Sequence, residues 1–166
     1  MFKKDNMYTN FFENKIKKSS NILVIDINID TINLNNIIIE KKLSVKNINI
    51  LQLYEEKDIY DIIILYDIFS KYSETKIKDI ICKIKTILKN NGQIVFIQNL
   101  VTSSKQYYHI FSYIRHYIFE KPVYISDFFD SVKENELIVI DFDRIYNINI
   151  PTYPFEYFSL ITGCKY

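Results

Sequence analysis

The chain has no alanine and no tryptophan, and only two glycines, three prolines and two cysteines. Two glycines, Gly92 and Gly163, cannot build a glycine-rich phosphate cradle, so that class of nucleotide loop is excluded. Cys82 and Cys164 are far apart and show no metal or redox spacing. Cys82 falls within a helical pattern, where a buried thiol is expected. No apolar run reaches the roughly 18 residues of a membrane span. The first residues, with Lys3, Lys4, Asp5 and Asn6, lack the apolar core of a signal peptide, so a cytoplasmic location is expected. A formal net charge of +1 argues against a strongly basic nucleic-acid binder. No Ser/His/Asp arrangement and no zinc spacing is present. His109 and His116 lie seven apart on one predicted helix without a matching acid or thiol, so no metal site is expected.

What fills the space is Ile, Asn, Lys, Tyr and Phe, residues of AT-rich codons, which we read as a coding bias. The chain has 166 residues, of which 48% are hydrophobic and 25% charged. It is most simply one globular domain spanning 1–166. Residues 1–20 form a lead-in, and the spacing of Phe11, Phe12 and Ile16 predicts a short amphipathic helix there.

The run Asn21–Ile27 predicts a buried strand that delivers Asp26 to the carboxyl edge of a parallel sheet, where ligands sit. Asn28–Asn36 is polar and too short for a full crossover helix with its loops. Ile37–Ile39, ending on Glu40, predicts a second strand and Ile48–Leu53 a third. Tyr60–Leu65, followed by Tyr66 and Asp67, is the clearest strand. Ser73 caps a helix whose Ile77, Ile80, Ile81, Ile84, Ile87 and Leu88 recur at helical spacing. Asn90-Asn91-Gly92 stops that helix, with Gly92 available for positive φ. A strand at Gln93–Gln98 follows. Next comes a helix through Tyr107–Ile118, capped by Ser103 or Ser104 and ended by Pro122. Its aromatic series fits core, partner contact or a tyrosine-lined substrate cavity. A short helix at Ser126–Lys133 precedes strands Glu136–Asp143 and Phe155–Cys164, which should pair antiparallel. The predicted class is α/β: a Rossmann-like, mostly parallel sheet closed by a C-terminal antiparallel hairpin, its first crossover helix shortened or missing.

Over roughly residues 20–166 this pattern resembles a shortened, glycine-poor class I SAM-dependent methyltransferase. Three stretches carry the resemblance. They are Asn21–Asp30, Tyr60–Asp67 with the helix and the Leu88-Lys-Asn-Asn-Gly92 lead-in, and the terminal Phe158–Lys165. The resemblance implies SAM as cofactor, held by a loop at Asp26, Asn28 and Asp30. It places Glu40 on the ribose hydroxyls, Tyr54 with Glu55 and Glu56 near the adenine, and Tyr66 with Asp67 near the transferred methyl group. Asn28 and Asp30 stand where the family has glycine; both residue types tolerate the left-handed region, yet their side chains take up room. Degeneracy there raises an alternative, an inactive methyltransferase-like subunit that serves as scaffold or activator. Its partner would be another protein or a second copy of the chain, docking on an under-covered sheet face. A third reading, a phospho-receiver module, uses Asp26, Asp67 and Glu120-Lys121-Pro122. It lacks the adjacent second acid, because Ile27 follows Asp26. The methyl acceptor is not identified by any of these residues.

Overall fold

The computed structural model describes residues 15–16, 20–25, 41–101, 123–144 and 155–164. In β1 (Asn21–Ile25) the four residues Ile22, Leu23, Val24 and Ile25 are all buried, which requires cover on both sheet faces. β1 lies inside a six-stranded sheet whose order is β2 (Ser44–Ile48), β1, β3 (Tyr60–Tyr66), β4 (Leu88–Val101), β6 (Phe155–Cys164), β5 (Leu137–Arg144). It pairs in parallel with β2 and with β3, and β4 continues the parallel set beside β3. β6 runs antiparallel to both β4 and the outermost strand, β5. The mostly parallel sheet and the closing hairpin are therefore as the sequence predicts.

Among the described residues three helices accompany the sheet: α1 (Ile68–Lys71), α2 (Glu74–Ile87) and α3 (Ile125–Glu134). Ser73 caps α2 as expected, its hydroxyl accepting from the Lys76 N–H at 3.4 Å. The Ile77, Ile80, Ile81, Ile84 and Ile87 stripe packs on the face formed by Leu23, Ile25, Ile63, Leu65, Ile94 and Phe96. Phe128 of α3 meets Phe69 at 4.9 Å and Phe96 at 6.1 Å, ring edge to ring face. Such contacts contribute about 0.5–1.5 kcal/mol each beyond area burial and here join α1, β4 and α3. The alternate residues Ile22, Val24, Ile62, Ile64, Val95 and Ile97 point to the opposite face and are equally buried. The under-covered sheet face expected from a deleted crossover is thus absent from these strands.

Several expectations change. The strand beside β1 is Ser44–Ile48, so the first crossover occupies residues 26–43, long enough for the dozen or more residues a parallel connection needs. Within it Lys41 is helical. The strand expected at Ile37–Ile39 lies outside the described residues. The third strand expected at Ile48–Leu53 is instead the end of β2, a turn, and a short 3-10 helix, Gln52–Tyr54. At the end of α2 it is Asn91, with φ 64°, that takes the left-handed conformation, and Gly92 has no positive φ. A Cβ on Gly92 would lie 2.8 Å from the Lys89 carbonyl oxygen and 2.8 Å from Leu88 side-chain carbons. Glycine is there for room. Cys82 is exposed rather than buried. The helix expected through Tyr107–Ile118, its histidines and Pro122 lie outside the described residues.

Candidate functional site

Parallel strands present their carboxyl ends together, and the register shows which residues share a level. Ile25 of β1 pairs with Ile48 of β2 and with Leu65 of β3, and Leu65 pairs with Phe96 of β4. One step further, β2 gives way to Asn49 and β3 reaches Tyr66, opposite Ile97. The candidate site is this edge.

On the β2 side Asn49 occupies the strand-end position expected for an acid. Its Oδ1 accepts the N–H groups of Leu51 at 3.0 Å and Gln52 at 3.1 Å, while its own N–H donates to Gln52 Oε1 at 3.0 Å. This is the local side-chain competition that suits asparagine to turns. Tyr54 ends the 3-10 helix, 43% exposed, with the Lys76 ammonium 4.4 Å from its ring centroid and 2.9 Å from its hydroxyl. Since Lys76 belongs to α2, Tyr54 stands on the α2 side of the edge.

Below this turn, Glu56 anchors the return to β3. Burial by itself would raise its carboxyl, yet the Lys46 ammonium at 2.7 Å and the backbone N–H groups of Asp58 and Lys57 outweigh it. Glu56 is therefore held below the usual carboxylate range. Burial pushes Asp61 up in the same way, and Lys89 at 2.8 Å with the Asn21 N–H at 2.9 Å brings it down further than burial raises it. At the β5 edge of the sheet the Lys15 ammonium, hydrogen-bonded to Asp141 and Asp143, is pushed up to about 12.

At the β3–β4 side, Tyr66 alternates with Leu65 and so points to the face away from α2. The Lys71 ammonium lies 5.3 Å from its ring centroid. Asp67 adopts the left-handed conformation at φ 50° and is 2% exposed. Its Oδ1 accepts the Asn99 N–H at 2.8 Å and the Gln98 Nε2–H at 3.1 Å. Gln98, 1% exposed, also accepts the Phe69 N–H at 3.2 Å and donates to the Asn99 carbonyl at 3.2 Å. The network fixes the β3–α1 turn against β4. A carboxylate so engaged is a structural acceptor, which removes the phospho-acceptor role that the receiver reading gave Asp67. The antiparallel β6–β5 end of the sheet also departs from that reading.

Of the residues the sequence singled out, Asp26, Asn28, Asp30 and Glu40 lie outside the described residues. Tyr54 and Tyr66 both reach the carboxyl edge, but on opposite faces of the sheet. Sequence reasoning missed Asn49, Gln98 and Asn99. For the last two a signal existed: a Gln-Asn pair interrupts the apolar run from Ile94 to Val101. No group of three or more metal-ligating side chains occurs among the described residues. Nor is any described helix long and apolar enough to cross a membrane.

No protein-family model and no curated protein matches the sequence. Solved structures match in fold. The chain is similar to Haemonchus contortus phosphoethanolamine N-methyltransferase 2 in complex with S-adenosyl-L-methionine, with TM-score 0.65 and 11% identity. That match covers 97% of this chain and 52% of that one, so the chain spans about half of that enzyme. It is similar to geranyl diphosphate C-methyltransferase of Streptomyces coelicolor A3(2), in complex with S-adenosyl-L-homocysteine, Mg2+ and geranyl diphosphate. There the TM-score is 0.65 at 7% identity, over 95% of this chain and 78% of that one. It also matches the cyclase SpnF, TM-score 0.61 at 8% identity, over 95% of this chain and 79% of that one. The fold is therefore that of class I methyltransferases, an α/β Rossmann-like architecture. That a cyclase shares it marks how far fold stands from activity.

Proposed function

We propose that the chain is a SAM-dependent methyltransferase acting on an acceptor still to be identified. One observation supports this above the others: the level register of Ile25, Ile48 and Leu65 brings three parallel strand ends to a single edge, beside a pre-fixed turn at Asp67. In open parallel sheets that edge is the ligand position. Methyl transfer from a sulfonium needs alignment and exclusion of water rather than a strong base, so a rigid edge without a catalytic dyad suits it. SAM would supply the electrophilic methyl group. From this chain, Asn49 would meet the ribose in place of an acid: with Oδ1 occupied by the turn, its Nδ2–H can donate to a hydroxyl oxygen. Tyr54 would offer its half-exposed ring to the adenine, the other ring face being taken by Lys76. Asp26, Asn28, Asp30 and Glu40 complete the proposed site on the sequence resemblance.

An inactive scaffold subunit is the weaker reading, because the bare sheet face it relied on is buried at Ile22, Val24, Ile62, Ile64, Val95 and Ile97. Calorimetry with SAM and with S-adenosylhomocysteine tests the proposal. Micromolar binding of both is expected; absence of heat together with absence of a thermal shift at millimolar SAM would sink it.

A further inference from the structure

We infer that Asn99 is the residue that recognises the methyl acceptor, its Oδ1 taking a hydrogen bond from an N–H or O–H of that molecule; this rests on the methyltransferase reading above. Asn99 Oδ1 is a buried acceptor without a hydrogen-bond partner. Among the described residues the only other buried side-chain atom of that kind is Ser131 Oγ, well inside α3 and away from the strand ends. Buried polar atoms are ordinarily paired, so an orphan at a ligand edge points to a partner that arrives from outside.

The backbone around this atom is held from two directions. Asp67 accepts the Asn99 N–H at 2.8 Å, and Gln98 donates to the Asn99 carbonyl at 3.2 Å. Both holding side chains are almost wholly buried. With its backbone fixed at both groups, the direction in which the Asn99 side chain leaves the strand is set, while Oδ1 keeps an unfilled acceptor, as a recognition group must. Strand alternation puts Asn99 on the face of Ile97 and of Tyr66, one strand over from Tyr66. It stands two residues beyond the level of Tyr66, about 7 Å along the strand. That lies on the opposite side of β3 from β1 and β2, where the nucleoside end would sit. The acceptor class that follows is an amine, phenol or alcohol that still carries a hydrogen. Transfer breaks the S–CH3 bond and forms N–CH3 or O–CH3. The electron pair stays on sulfur as a thioether, and the acceptor's proton is released to water.

The full chain is tested as wild type, Asn99→Leu and Asn99→Asp. Calorimetry should give SAM affinities within about twofold of one another, since Asn99 stands apart from the nucleoside side. Radiolabelled methyl transfer is then followed to a panel of primary and secondary amines, phenols and alcohols, beside pyridines and thioethers that have no hydrogen to donate. We expect label only in the hydrogen-bearing members. We expect kcat/KM to fall at least about tenfold in Asn99→Leu, mainly through KM, and to be largely kept in Asn99→Asp. Unchanged kcat/KM in Asn99→Leu, whatever its melting temperature, would mark a structural orphan and overturn the inference. Label confined to pyridines or thioethers would do the same, as would SAM binding with no member labelled. Failure of the wild type to bind SAM would overturn the underlying methyltransferase reading, a result distinct from all of these.

Discussion

Asn49 and Asn99 stand toward the carboxyl ends of two parallel strands, on the two sides of the candidate edge, and their side chains do opposite things. Asn49 Oδ1 is consumed by its own turn, accepting from Leu51 and Gln52. Asn99 Oδ1 accepts from nothing, because the work of holding its backbone is done by Asp67 and Gln98 instead. The residue type is the same; what differs is whether a neighbour supplies the fixing contacts. A strand end that caps itself keeps only its remaining donor for a ligand, while one fixed by its neighbours keeps its acceptor open.

The largest way to break that contrast is to remove its support. Asp67→Ala leaves the Asn99 N–H unpaired in a buried site and takes from the Gln98 amide one of its acceptors, and should cost about 3 kcal/mol in denaturant unfolding. Asp67→Asn keeps the Oδ1 acceptor and should cost about 1 kcal/mol. If both variants lost the same amount, the geometry described for Oδ1 would not be what stabilises the turn.

Next in size is Gly92→Ala, at the entrance to the same β4 strand. The new Cβ would meet backbone as well as Leu88. Overpacking of that kind should cost about 2 kcal/mol. Asn91→Gly should move the other way, because it relieves a left-handed asparagine. The gain should be up to about 1 kcal/mol. Thermal melts of the two variants decide between this and the reverse assignment, in which Gly92 carries the turn.

Much of this was readable in the residues and some was not. β1, β3, α2 and the β5–β6 pair were legible because burial on both faces, helical spacing or a short proline-bearing connection leaves a plain trace in sequence. β2 was not. Ser44-Val-Lys-Asn-Ile48 is an edge strand with only Ile48 buried, so it lacks the apolar run that Ile37–Ile39 displays. With β2 at Ser44–Ile48, the residue that follows the strand is Asn49, while Glu40 lies outside the described residues. Asn99 was hidden for a different reason: its surroundings depend on Asp67, more than thirty positions earlier, brought alongside only by the β3–β4 pairing.

Replacing each asparagine by leucine turns the contrast into a difference of sign. Asn49→Leu removes a turn cap and should lose about 1 kcal/mol. Asn99→Leu removes an unpaired buried acceptor and should gain about 1 kcal/mol in the ligand-free protein. Equal losses in urea titrations would mean that Asn99 Oδ1 is satisfied in solution after all.

The smallest expected effect is that of acid, and it reads the Asn49 side alone. The chain leaving Asn49 returns to β3 through Glu56, and β3 begins beside Asp61; both carboxyls are held low in the folded state. A carboxyl whose folded value is depressed contributes stability above its unfolded value, near about pH 4, and loses it as pH falls through the folded one. Unfolding midpoints should therefore be level from neutral pH to about pH 5 and decline below about pH 4. The decline should be modest, since Lys46 and Lys89 are half-exposed and their attraction is screened. Glu56→Gln should flatten part of it, because its amide oxygen still accepts the Lys57 and Asp58 N–H groups while its charge is gone. An unchanged acid profile in that variant would move the pH dependence elsewhere in the chain and leave the Asn49 turn, like Asn99, supported by hydrogen bonds rather than by charge.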